Sequence, residues 1–165
     1  MRSIRLALSA LVVLILASAP AAAAPTGPGH AAGSYNYHPF GNVPGRSLTV
    51  FAEGPAAYKG SWATFEPDTG VVLRAGLVTC LCVDGGDAWM AGPETYRAAG
   101  LQAASGAFLH VRDGGAVGPA GDAATTWFAD PGQTLLELVG WCRTQNSDLE
   151  LWALASGDIE VADAD

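Results

Sequence analysis

Three cysteines are the residues of this chain best equipped for chemistry. Two of them, Cys80 and Cys82, stand in the run VTCLCVDGGDAWMAG with one residue between them, and the third, Cys142, lies far downstream. Side chains two apart on a strand point the same way, so the Cβ atoms of Cys80 and Cys82 should stand about 6.5–7 Å apart. A disulfide wants them about 3.8 Å apart. The two therefore cannot bond each other without breaking a strand, whereas one of them can reach Cys142. Such a bridge closes a loop long enough to contribute about 4 kcal/mol by restricting the unfolded chain. A zinc site from Cys80, Cys82, Cys142 and His110 is the competing chemistry. C-x-C lacks the usual two-to-four-residue ligand spacing, and an oxidising compartment favours the disulfide, so no metal is expected.

His110 is the one histidine on a strand candidate; His30 and His38 fall in a Gly/Pro-rich stretch. Asp113 follows closely and could orient His110 as a general base. No G-x-S-x-G elbow, HExxH, P-loop or dinucleotide fingerprint accompanies it. No catalytic or cofactor-binding residue is assigned on this basis, and no cofactor is expected. Two acidic Gly-rich turns, one flanked by Asp84 and Asp87 and one bracketed by Asp113 and Asp122, offer oxygen ligands of the kind calcium takes. Their spacing is irregular and Asp-Gly is ordinary turn chemistry, so they read as turns. Trp62, Trp89, Trp127, Trp141 and Trp152 would suit a carbohydrate or protein partner if they lined an open face. Each sits among apolar residues, which predicts core packing.

The elements that must position these residues read as strands from Arg46 on. SLTVFAE, YKGSWATFEP, VVLRAGLVTCLCV, AWMAG, AFLHVRD, TTWFAD, LLELVGWC, LELWAL and DIEVAD are short Val-, Leu-, Thr-, Trp- and Phe-rich runs separated by Gly, Pro and Asp clusters. That pattern predicts an all-β domain, a small antiparallel β-sandwich or closed barrel. In the longest run the odd positions Val71 to Val83 form one continuous core face. Its second half, apolar on both faces, is expected to be a central strand. PETYRAAGLQAAS (Pro93 to Ser105) could make a turn or two of helix, interrupted by Gly100.

Upstream, Arg2 and Arg5 precede the apolar run Leu6 to Ala19 and a small-residue cleavage region, the pattern of a signal peptide spanning 1–23. Residues 24–46 read as a flexible Gly/Pro/Ala-rich leader and 47–165 as one β domain. No later segment approaches a transmembrane length, so no stable membrane insertion is expected after cleavage. Removal of Arg2 and Arg5 leaves six basic against sixteen acidic residues, with Lys59 the sole lysine. Nucleic-acid binding depends on Lys and Arg displacing counterions, and this balance excludes it. The chain is thus expected to be secreted and extracellular.

The stretch GLVTCLCVDGGDAWMAG, then AFLHVRDGG, then Cys142 and the closing SGDIEVADAD resembles a recurrent pattern in small secreted bacterial β-domain proteins of unassigned function. There the first cysteine matches Cys80 and the later one Cys142. The resemblance therefore implies a Cys80–Cys142 disulfide, with Cys82, where the pattern carries no fixed cysteine, left as a free thiol. A monomer is expected, and a covalent dimer through Cys82 is the alternative. The function expected is a non-catalytic binding or interaction module for an extracellular ligand or protein. The alternative is a small secreted hydrolase using His110 with Asp113 or a carboxylate pair.

Overall fold

The structure, a computed structural model, describes residues 29–38, 46–54, 59–115, 120–130 and 132–162. The expected signal peptide, 1–23, lies outside them. The strands are β1 (His30–Tyr37), β2 (Arg46–Glu53), β3 (Lys59–Phe65), β4 (Val72–Leu77), β5 (Cys80–Asp84), β6 (Asp87–Arg97), β7 (Gly106–Arg112), β8 (Ala123–Phe128) and β9 (Trp152–Ala162), with helix α1 (Leu135–Arg143) before the last. The sheet runs β4-β3-β2-β1-β9-β8-β7-β6-β5, every neighbour antiparallel. A further pairing of β4 with β6 closes eight of the strands into a barrel. Of the two architectures expected, the chain has the closed barrel. Closure removes the exposed sheet edge that an open sheet would leave.

β6 is long enough to serve two partners. Its first half, Asp87 to Ala91, pairs with β5, and its second half, Glu94 to Arg97, pairs with β4. The run expected as one strand is therefore two, separated at Val78 and Thr79. There the Val78 amide donates to Gly60 O and the Thr79 amide to Ala91 O. The junction is tight: a Cβ on Gly92 would run into the Leu77 carbonyl, so only glycine fits. The break also inserts a residue and flips the side-chain phase. Leu81 and Val83 face the core as expected, but upstream Val71 and Leu77 are about half exposed, and the even positions face inward instead. β5 is not central, since it pairs with β6 alone; α1 covers its outer face.

Four further expectations are corrected. The leader is not wholly flexible: within it His30 to Tyr37 forms β1, paired along its length with β2 and β9. Ala31, Tyr35 and Tyr37 on alternate positions enter the core, which holds the strand in place. Pro93 to Arg97 continues β6 rather than starting a helix. LLELVGWC, read as a strand, is α1. Thr134 caps it, its hydroxyl accepting from the Glu137 amide while the Glu137 carboxylate accepts from the Thr134 amide at 2.6 Å. This reciprocal capping box satisfies two otherwise unpaired amides and favours helix over strand. LELWAL and DIEVAD merge into the single strand β9.

The core has two compartments. Inside the barrel Tyr35, Leu48, Val50, Trp62, Met90, Leu109, Val111 and Ile159 pack together. Outside it, α1 lays Leu138 and Cys142 on Cys80, Trp89, Ala91 and Phe108 of β5, β6 and β7. Trp141 meets Phe108 edge to face, centroids 5.8 Å apart.

Candidate functional site

The phase flip places charge inside the barrel. Arg74 stands opposite Thr64 on β3 and Arg97 on β6, and Glu94 stands opposite Gly76. Arg74 Nη1 lies 2.5 Å from Glu94 Oε1, with the two side chains 12% and 7% exposed. Arg74 Nη2 donates to the Gln102 carbonyl at 2.7 Å, and Glu94 Oε2 accepts from the Ala104 amide at 3.3 Å. The ion pair thus straps the segment between β6 and β7 across this end of the barrel. The Arg74 guanidinium also sits over the Phe128 ring, 4.8 Å from its centroid.

Thr64, Leu73, Arg74, Leu101 and Phe128 line a cavity of about 150 Å³ under this strap. Phe128 in turn packs against Trp62 at 5.8 Å between centroids. Trp62 owes its position to Gly76, since any Cβ there would overlap the indole ring. Among the described residues four polar atoms are buried with no hydrogen-bond partner of ordinary geometry: Tyr35 Oη, Trp62 Nε1, Thr126 Oγ1 and His110 Nδ1. Burial holds the Tyr35 phenol well above its usual pKa, and neighbouring Tyr37 adds to this. The Thr126 hydroxyl beside it opposes the shift. An unpaired buried donor costs about 1–3 kcal/mol.

His110 is buried and stacked under Trp89, centroids 4.6 Å apart. Its partner is Asp87, at 2.8 Å from Nε2, and not Asp113. Arg112 Nε also binds Asp87, at 3.0 Å. Burial lowers the His110 pKa against the opposing pull of Asp87. Asp113 and Asp122 are spent on the backbone instead. Asp113 accepts from the Gly115 and Val161 amides, and Asp122 accepts from Gly114 and Ile159 at 2.9 and 3.0 Å. These bonds tie the β7–β8 connection to β9. They consume the carboxylate oxygens that a calcium ion would need.

The disulfide joins Cys80 to Cys142, with Cα atoms 6.3 Å apart, and Cys82 is a half-buried free thiol. All three Sγ atoms lie within 4.8 Å of one another. Burial raises the Cys82 pKa and the nearby Arg143 opposes this. None of the five tryptophans is exposed; Trp62 is 1% and Trp89 6% accessible, and the others are half-buried. An aromatic surface row of the kind that would suit carbohydrate is thus absent among the described residues.

Sequence reasoning missed Arg74, Glu94, Thr126 and Phe128. The signal for the first two was the single arginine in an otherwise apolar run, two residues from a glycine. Comparison with known protein families, with curated proteins and with solved structures finds no match to this chain.

Proposed function

We propose that this protein is an exported, non-catalytic binding module that takes a small single-ring ligand into the Arg74–Glu94 end of its barrel. The observation that carries this reading is the cavity of about 150 Å³ lined by Thr64, Leu73, Arg74, Leu101 and Phe128. A cavity of that size accepts a molecule such as benzene, and Phe128 supplies an aromatic wall for it. Thr64 and Arg74 on the lining select a ligand with at least one hydrogen-bonding substituent. Eight-stranded barrels have an interior of the right width for one small guest. Export is supported by Arg2, Arg5 and the Leu6 to Ala19 run, and by a disulfide of the sort that persists in oxidising compartments.

Native and denaturing mass spectra of protein collected from the host's medium make the test. Extra native mass that disappears on denaturation identifies the guest. Phenol and benzoate are then titrated against the emptied protein, with tryptophan fluorescence as readout. Saturable quenching that weakens at least tenfold in a Thr64→Met variant, whose longer side chain fills the cavity, is expected. No bound mass and no saturation by either probe would sink the reading.

A further inference from the structure

We propose that Cys80, Cys82 and Cys142 form a thiol–disulfide exchange site, in which Cys82 relays between low-molecular-weight thiols in solution and the buried bridge. The Cys80 and Cys142 sulfurs cannot be approached directly: the residues are 2% and 0% exposed, packed among Leu138, Phe108 and Ala91. Cys82 is half-buried and so open to solvent on one side. Its Sγ lies within 4.8 Å of both bridge sulfurs, which puts a nucleophile beside an electrophile in the same protein.

Strand geometry decides which sulfur is attacked. Cys80 and Cys82 both project from β5 toward α1, two residues apart, and cannot bond each other. Cys142 is therefore the shared sulfur. The Cys82 thiolate attacks Cys142 Sγ; the Cys82–Cys142 bond forms as the Cys80–Cys142 bond breaks, and Cys80 leaves as a thiolate that takes up a proton. No oxidant or reductant is consumed. The migrated bridge now ends on the half-buried sulfur. An external thiolate can attack Cys82 there, giving a mixed disulfide and a Cys142 thiol. A second external thiol then releases Cys82 and the small-molecule disulfide. In sum, the protein bridge and two external thiols become two protein thiols and one external disulfide.

The site also moves an anchor. Migration would shift the tether of α1 by one same-face step along β5, about 6.5–7 Å. Reduced glutathione serves as the probe thiol. Bridge opening is followed by acid quench, alkylation in denaturant and peptide mass mapping, in the full chain and in Cys82→Ala, which keeps the Cys80–Cys142 bridge. The expected result is opening at least tenfold slower in Cys82→Ala. In the unmodified chain, a glutathione adduct on Cys82 should coexist with free Cys80 at early times. A second variant, Cys80→Ser, is expected to form the Cys82–Cys142 bridge. Opening rates within twofold of each other overturn the proposal, and so does a folded Cys80→Ser protein with both thiols free. If Cys80→Ser fails to fold, the rate comparison alone decides.

Discussion

At one end of the barrel Ala31, Ala52, Val83, Ala88 and Val111 meet in an aliphatic plug, whereas at the other Arg74 and Glu94 face each other among Thr64, Trp62 and Phe128. At the plugged end Asp87 joins His110 and Arg112 on the outer face of β6 and β7, and the one carboxylate buried there, Asp122, is spent on the Gly114 and Ile159 amides. The charged end instead turns an ion pair inward. The difference is that buried charge is met by backbone amides at one end and by an opposite side-chain charge at the other.

Substitutions can break this contrast. The largest effect is expected from Arg74→Met, which leaves Glu94 buried with only the more distant Arg97, at 3.8 Å, to offset its charge; about 3 kcal/mol of stability should be lost in urea unfolding. Adding Glu94→Leu to it should recover most of that loss, because the penalty is the stranded charge and not the missing pair. Leu109→Ala, deep in the apolar interior, should cost about 3 kcal/mol through its cavity and have no such rescue.

A smaller effect is expected from pH. The folded state holds the His110 pKa below the ordinary value of about 6.5, because burial outweighs the attraction of Asp87 and Arg112 opposes the charge. As pH falls, the unfolded chain takes up the proton first. The stability His110 contributes is thus complete above about pH 6.5 and is lost as pH drops through its folded pKa. Melting temperature should decline between pH 7.5 and pH 5, and His110→Gln should flatten that slope. The smallest effect sharpens the comparison most. Thr126→Val removes an unpaired hydroxyl at nearly constant shape and should leave stability unchanged or slightly raised.

Much of the strand content was legible because alternation and turn residues mark it: SLTVFAE, the DGGD hairpin and AFLHVRD all fall where their patterns place them. α1 was not, although Thr134 and Glu137 stand in the sequence as a capping box. Its eight apolar-rich residues fit either period, and length alone does not arbitrate at that size. β1 escaped notice because Gly33, Ser34 and Asn36 carry no apolar signal; the strand is held by partners on both sides, which are distant in the chain. The inward turn of Arg74 depends on one inserted residue at Val78 and Thr79, a register event that composition does not display. The disulfide was reached by resemblance and is present as Cys80–Cys142. The site, which depends on phase and on strands meeting across the barrel, was the least legible part.

β1 has β9 as a neighbour, so the first strand described pairs with the last, His30 opposite Ala162. The ring cannot shut until nearly the whole polypeptide is available, and its decisive contacts are among the most distant in sequence. Chains with such topology fold slowly, in milliseconds to seconds. A truncation within β9 is therefore a loss of the whole barrel rather than of one strand.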